Sequence, residues 1–236
     1  MAIKPRDNES FYREVDEELR RDRARTLWER YGKLAIAGVV LFLAAIAGAI
    51  YWNNQKQVQA GKQGEQLISA FDDISATNKG AATPKLEALA KADQPGYRAA
   101  ALLTKADLAI EANNLDGAAA LFRQVASDES LDQTYRNLAL VRQTHVEFDK
   151  IQPQAVVDRL KPLAVAGNPW FGSAGEMVAI SYLKLNKPQD AARIFAAMAK
   201  DKQVPDSVRS RAVQMAGSLG VDAIEEPAAA PQEGTK

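Results

Sequence analysis

Two short stretches decide the fold: residues 117–125 read GAAALFRQV, and residues 190–198 read DAARIFAAM. Each places alanines, a phenylalanine and a further apolar residue at the spacing of one helix face. The first stretch carries Ala118, Phe122 and Val125, and the second carries Ala191, Phe195 and Met198 at the same spacing 73 residues later. An offset that is kept at every position of the set indicates an internal repeat.

A middle copy of the pattern lies near residue 155, where Val156, Leu160 and Leu163 supply it. A turn signal precedes each copy: Asn113-Asn114, Gln152-Pro153 and then Asn186-Lys187-Pro188. Small residues fall where paired helices must approach: Ala106, Ala118, Ala179 and Ala191. The offset is about two repeats of the roughly 34-residue tetratricopeptide class. In stacked helical hairpins, small residues lie where two helices approach, and large apolar residues fill the next layer. The pattern therefore predicts such a stack, and a plain helical bundle is the alternative.

Weaker signals flank the repeats. We expect one helix over Gln66 to Thr77, with Leu67, Ala70, Phe71 and Ile74 on one face, and a short helix that Pro84 opens and that runs through Ala90. Pro205 is expected to open a last helix, Asp206 to Ser218, which Gly220 ends. Its apolar face can close the stack: Val208, Ala212, Met215 and Leu219.

The segment Leu34–Trp52 contains no charged residue and is almost wholly apolar. As a helix it measures about 28 Å, close to the roughly 30 Å hydrocarbon thickness of a bilayer. A cleaved signal peptide is the alternative, because Ala45-Ile46-Ala47 is a small-x-small pattern. The long charged region before Leu34 and the length of the apolar run favour an uncleaved anchor. A buried soluble helix fits less well, because the segment is apolar all round.

Basic residues cluster on one side of this segment: Arg20, Arg21, Arg23, Arg25, Arg30 and Lys33. Only Lys56 and Lys62 lie at a similar distance beyond it, so the positive-inside rule predicts a cytoplasmic N-terminus. The domains predicted are a cytoplasmic charged arm (1–33), a transmembrane helix (34–52), a periplasmic tetratricopeptide-like domain (57–221) and a disordered tail (222–236). The predicted fold is all-α: a single N-terminal transmembrane helix, then an α-solenoid of helix pairs with a C-terminal capping helix.

Composition argues against several functions. Lysine plus arginine equals aspartate plus glutamate at 30 each in 236 residues, too balanced for a nucleic-acid partner. There is no cysteine, which excludes thiol chemistry and cysteine-based zinc sites. The single histidine, His145, is expected to be partly buried and structural. No HExxH, GxGxxG or phosphate-binding loop occurs, so we expect no enzyme, cofactor, metal or small-molecule substrate.

A helical-repeat domain without such a constellation usually binds another protein on the concave surface formed by its first helices. By consensus register, the predicted partner-binding residues are Lys105, Asn113, Gln143, Glu147, Tyr182 and Asn186. The alternative is that these are ordinary surface residues, with Tyr182 in the core.

The order of these parts resembles a known family, the YfgM-like ancillary subunits of the bacterial Sec translocon, which carry a tetratricopeptide-repeat-like domain. Five features carry the resemblance: Tyr31-Gly32-Lys33 before the span, the spacing of Gly38 and Gly48 in it, Tyr51-Trp52-Asn53 after it, and the segments Asn137–Arg142 and Asp190–Arg193. The resemblance implies a bacterial inner-membrane protein whose partners are Sec translocon subunits and periplasmic chaperones. It implies help in handing secreted proteins to those chaperones. The alternative is a periplasmic scaffold for envelope assembly or cell division.

Overall fold

The structure, a computed structural model, describes residues 8–223 of the chain. Residues 1–7 of the predicted arm and residues 224–236 of the predicted tail lie outside the described residues, as do the side chains of 8–20, 22–24, 27 and 35. Within 8–223 there are helices and no strand, so the all-α prediction is confirmed. The helices are α1 (Asn8–Ser75), α2 (Lys79–Leu89), α3 (Pro95–Glu111), α4 (Leu115–Ser127), α5 (Gln133–Glu147), α6 (Pro153–Leu160), α7 (Phe171–Lys184), α8 (Pro188–Lys200) and α9 (Asp206–Ser218).

Contacts divide the chain into two units between Gly61 and Lys62. The first unit is the greater part of α1. From Trp28 onward, α1 contains an 18-residue segment with a mean hydropathy of 2.5, and none of its residues is buried. By length and composition, this helix is a candidate membrane span, the one such helix among the described residues.

The second unit is a stack of helix pairs. Residues 62–75 of α1 pair with α2, and α3 with α4, α5 with α6 and α7 with α8 follow, each helix packing on the next. The last helix, α9, packs on α8 and closes the stack as predicted, with Ala212 buried and Val208, Met215 and Leu219 packed against the same core cluster. Because each pair buries its apolar face against its neighbours, the core runs along the stack as a series of clusters.

The repeat predicted from the 73-residue offset is confirmed at its core positions. Phe122 and Phe195 expose 0% and 2% of their surface. The other residues of the three copies are buried too: Ala118, Val125, Val156, Leu160, Leu163, Ala191 and Met198. The small residues Ala106 and Ala179 are fully buried between paired helices, where a larger side chain would hold the helices apart.

Helix ends follow from the turn residues. Asn113 and Asn186 have φ of 58° and 55°, the left-handed conformation that ends a helix and that asparagine tolerates. The next residue, Asn114, caps α4 by accepting a hydrogen bond from the Gly117 N–H at 3.0 Å. Pro153 and Pro188 open α6 and α8 at a first-turn position, where a missing N–H costs nothing.

Two boundary predictions were wrong. The helix predicted to begin at Gln66 is the last part of the continuous α1, and it ends at Ser75 because Thr77 turns left-handed at φ 61°. The helix predicted to begin at Pro84 begins at Lys79, because Asn78 caps it and leaves Pro84 inside.

The predicted apolar face of that first segment also needs correction. Ala70 is fully buried, but Phe71 is 42% exposed.

Candidate partner-binding groove

A groove lies across the first helices of three successive pairs. One residue of α3, four of α5 and three of α7 line it: Ile110, Val141, Arg142, His145, Val146, Ser173, Glu176 and Met177. Its volume is about 300 Å³. The apolar members are part of the core or pack against it: Val141 and Met177 are buried, and Ile110 and Val146 are half-buried. The floor of the groove is therefore apolar and largely enclosed by its neighbours.

Arg142 forms one charged wall of the groove. Its guanidinium lies 2.5 Å and 3.1 Å from the two carboxylate oxygens of Asp107 on α3. The same guanidinium lies 5.0 Å from the ring centroid of the buried Phe122 on α4. These contacts hold the arginine side chain between α3 and α5. Its planar guanidinium can hydrogen-bond to the Asp107 carboxylate and also lie against the Phe122 ring.

Glu176 forms the opposite charged wall. Its two carboxylate oxygens accept hydrogen bonds from Nε and Nη2 of Arg211 on α9, both at 3.0 Å. The hydrogen bonds and the charge of Glu176 together raise the pKa of Arg211, so the arginine stays charged. Both pairs are partly exposed, so solvent screens them and they add little to stability. The shape of the groove therefore depends mainly on the core beneath it.

The two wall pairs belong to a periodic series. Asp107–Arg142 and Glu176–Arg211 each join residues 35 apart. Two further pairs outside the groove have nearly the same separation, Asp149–Lys184 at 35 and Asp116–Lys150 at 34. This separation is close to the length of one repeat, so each pair joins neighbouring repeats.

The groove brings together the residue types of a nucleophile, a base and an acid, namely Ser173, His145 and Glu176. Among the described residues no hydrogen bond joins the imidazole to either of the others, and Glu176 is engaged with Arg211. His145 is exposed rather than partly buried as the sequence suggested. A hydrolytic site needs the nucleophile and its base within hydrogen-bonding reach, which this arrangement does not provide.

Two predicted partner-binding residues, Gln143 and Glu147, lie inside the stack. Gln143 is 4% exposed, and its Nε2 donates to Glu147 Oε2 at 3.2 Å. Glu147 also accepts hydrogen bonds from Arg159 on α6 at 2.6 Å and from Arg123 on α4 at 3.0 Å. Burial raises the pKa of Glu147, but the hydrogen bonds and charges of the arginines outweigh it and lower that pKa overall.

The other four predicted residues lie apart from this cluster. Asn113 and Asn186 are exposed at the equivalent ends of α3 and α7. Tyr182 is half-buried and packs against core clusters, and Lys105 is half-buried on α3. None of the six lines the groove that the described residues form. In α5 the groove uses positions one or two residues away from Gln143 and Glu147, and each residue step turns a helix by about 100°. In α3 and α7 it uses positions at least three and five residues away from the predicted ones, respectively.

A signal for the groove was present in the sequence. Opposite charges recur at a separation of 35 residues, at Asp107 and Arg142 and again at Glu176 and Arg211. Residues that pair across neighbouring repeats must lie on the surface that those repeats share. A search for such pairs would have identified Arg142 and Glu176 as residues that join neighbouring repeats, together with the pairs that lie outside the groove.

Three comparisons bear on this architecture. The sequence profile of the Tetratricopeptide repeat-like domain family matches residues 25–216. A protein of Escherichia coli (strain K12) named "Ancillary SecYEG translocon subunit" is 25% identical over 174 residues, which is 74% of this chain and 82% of that protein. No solved structure matches the chain significantly. Because the profile match covers well over half of its residues, the chain belongs to the Tetratricopeptide repeat-like domain family.

Proposed function

We propose that the chain is a membrane-anchored, non-catalytic protein-binding subunit that works beside the Sec translocon. Three observations support the proposal: the candidate span in α1, the groove across the first helices, and the similarity to a protein named as an ancillary translocon subunit. The groove is the main support for this proposal, because helical-repeat proteins bind extended segments or helices on the concave surface of the stack.

The proposal assigns the segment 34–52 to the inner membrane, the N-terminal arm to the cytoplasm and the domain 57–221 to the periplasm. The excess of basic residues before Leu34 supports this orientation. Alkaline phosphatase fused after Lys236 should be active, since that enzyme folds only outside the cytoplasm. An inactive fusion, together with an active cytoplasmic reporter at the same site, would reverse the orientation.

The groove in this proposal receives polypeptide of a periplasmic chaperone or of a secreted protein that is being handed over. Its floor offers Ile110, Val141 and Met177, and its volume of about 300 Å³ is at the lower end of ordinary binding pockets. A site of that size takes a few apolar side chains of a protein segment. The walls, Arg142 and Glu176, add opposite charges that favour a segment with charges of both signs beside its apolar residues.

Photocrosslinking in native membranes tests this role. A photoreactive amino acid at Ser173 reports on the groove, and one at Asp158, an exposed residue of α6, is the matched control. We expect crosslinks from position 173 to a periplasmic chaperone or to a secreted protein in transit, and weaker ones from position 158. Equal crosslinking from both positions would remove the groove from the proposal.

The span is tested separately. Replacing Leu34–Trp52 with an unrelated transmembrane helix should reduce copurification of the Sec channel while the groove crosslinks persist. If the wild-type chain contacts neither the channel nor a chaperone, the proposed function is wrong. Contacts with cell-division or envelope-assembly proteins would then favour the scaffold alternative.

A further inference from the structure

We infer that the basic end of the span in α1 is a binding surface for anionic phospholipid headgroups. The surface consists of Arg25, Arg30 and Lys33, with Trp28 and Tyr31 between them. We call it the basic surface. The inference rests on the span of the proposed function, and it needs neither the orientation nor the Sec partner proposed there.

The described side chains leave most of the charge of the basic surface unneutralised. All three cations are exposed, and the side chain of Arg25 keeps 80% of its accessible surface. Glu29 is the single acidic residue from Arg25 to Lys33, and it lies 3.5 Å from Arg25 Nε. An excess of positive charge therefore remains beside the apolar segment.

Two aromatic side chains place this charge at the membrane interface. Trp28 is 64% exposed and Tyr31 is 50% exposed. The indole of Trp28 lies flat over Gly32, where an added Cβ would come within 3.2 Å of the ring atoms. The guanidinium of Arg30 lies 5.8 Å from the Tyr31 centroid. Tryptophan and tyrosine have an apolar body and a polar tip, and they favour the level of the headgroups.

Helix geometry brings Lys33 and Arg30 to the lipid phosphates and leaves Arg25 beyond them, within about a Debye length of their charge. If the hydrocarbon begins at Leu34, the headgroup layer of roughly 5–8 Å spans about four or five residues upstream at 1.5 Å each. That layer contains Lys33 and Arg30, and Arg25 lies about 12 Å from Lys33 along the axis. Side chains of a helix lean toward its N-terminus, so at this end they lean away from the hydrocarbon and into the headgroups.

The other end of the span is an internal control. Its nearest cation is Lys56, whose Nζ lies 5.8 Å from the Trp52 ring, and the next is Lys62. Each basic side chain near an anionic surface strengthens attraction roughly fivefold. The end with the basic surface should therefore bind anionic lipids more strongly than the other end. Each end has its own tryptophan, Trp28 or Trp52, which can report on the lipids around it.

Quenching by brominated lipids tests the inference on the full chain. Two single-tryptophan proteins are made, one keeping Trp28 (Trp52→Phe and Trp170→Phe) and one keeping Trp52 (Trp28→Phe and Trp170→Phe). Each is placed in phosphatidylcholine nanodiscs with a minor fraction of brominated phosphatidylglycerol or, at the same fraction, brominated phosphatidylcholine. Both leaflets have the same composition, so orientation does not affect the result.

We expect brominated phosphatidylglycerol to quench Trp28 about twofold more than brominated phosphatidylcholine, and the two lipids to quench Trp52 nearly equally. Adding Arg25→Gln, Arg30→Gln and Lys33→Gln should abolish the preference at Trp28. The matched change, Lys56→Gln with Lys62→Gln, should leave it intact, and high salt should weaken it.

Equal quenching of Trp28 by the two lipids would overturn the inference, and an acidic protein surface would then be the partner to seek. A preference at Trp28 that survives the triple substitution would overturn it as well. If neither lipid quenches either tryptophan, α1 does not enter the bilayer, and the anchor of the proposed function fails together with the inference.

Discussion

At the scale of single residues, the middle repeat differs from its neighbours by a buried polar pair. Gln143 occupies the position that Ala106 and Ala179 occupy in the flanking repeats. Glu147 likewise replaces Ile110 and Leu183. Arg159 and Arg123 reach this pair from the two adjacent second helices. A partly buried carboxylate with these partners ties three helices together through directional bonds, whereas the flanking repeats use apolar contact at the same positions.

Glu147→Gln should destabilise the domain by about 1–3 kcal/mol at neutral pH, because Arg159 would lose its charged partner in a partly buried site. The lowered pKa means that this stabilisation is complete above the ordinary carboxyl value of about 4.5 and is lost as the pH falls through the lower folded value. Urea unfolding at pH 7 and at pH 3 measures both effects, and the variant should differ less from the wild type at pH 3.

Glu111→Gln is the matched control for this prediction. Its carboxylate pairs with Lys79, but that side chain keeps 53% of its surface. We expect a cost below about 0.5 kcal/mol. Equal costs for the two substitutions would mean that burial of Glu147 adds nothing.

The equivalent phenylalanines give a second prediction. Phe122→Ala and Phe195→Ala should each cost about 3–5 kcal/mol, since both rings are fully enclosed and each change leaves a cavity. Chemical denaturation of the isolated domain measures the costs. Val165→Ala, at a residue that is 50% exposed, should cost under about 0.5 kcal/mol. Costs that small at both phenylalanines would contradict the repeat register.

At the scale of helices, the repeat is visible in how helices end. Thr77, Asn113 and Asn186 all turn left-handed after a helix, and the residue after each donates its N–H to a carbonyl five positions earlier. This is the hydrogen bond that closes a Schellman motif. Thr77 lies 36 residues before Asn113, so the pair formed by residues 62–75 of α1 and α2 is a further repeat. The middle copy lacks this turn and has the short helix α6.

Pro84 is the helix residue whose replacement should stabilise the domain most. It lies inside α2, where it has no N–H to donate to the carbonyl of Gly80, and it is exposed. Pro84→Ala should therefore stabilise the domain by about 1–3 kcal/mol, and thermal unfolding measures the gain. The same change at Pro188, which stands at the first turn of α8, should be nearly neutral. A loss of stability at Pro84 would show that its ring packs where the helix needs it.

At the scale of the whole molecule, each helix pair contacts mainly its neighbours. The ion pairs at separations of 34–35 residues follow the same rule, since each joins adjacent repeats. Stability in such a stack is close to a sum over pairs and the interfaces between them. The stack has its own core clusters, so we expect it to fold without the candidate span.

The isolated segment Gln57–Val221 should accordingly fold without a membrane. We expect a circular dichroism spectrum dominated by helix and a cooperative thermal transition. Removing the closing helix as well, by ending the chain at Val204, should expose the core around Phe195 and Met198 and lower the transition temperature. An unfolded Gln57–Val221 segment would contradict the division of the chain into two units.

Much of the architecture was predictable from the sequence because it depends on local patterns. The 73-residue offset, the asparagine and proline turns and the apolar segment after Lys33 each act within a few residues or recur at a fixed period. They determined the helical class, the repeat, the closing helix and the candidate span. Boundaries at Gln66 and Pro84 were missed because a cap at Asn78 and the continuity of α1 outweighed a favourable helix start elsewhere.

The recurring charge pairs were a partial signal for the groove, but tertiary structure decided which residues line it. Which face of α5 meets solvent depends on how α4 and α6 pack against it, and a rotation of one residue exchanges Gln143 for Arg142 at the surface. The pattern of apolar and polar residues does not predict how α5 is rotated about its axis, because α5 packs on two sides and has polar residues in its packed faces. The sequence by itself determined which segments are helical and how they repeat, and the packing of neighbouring pairs determined which residues line the groove.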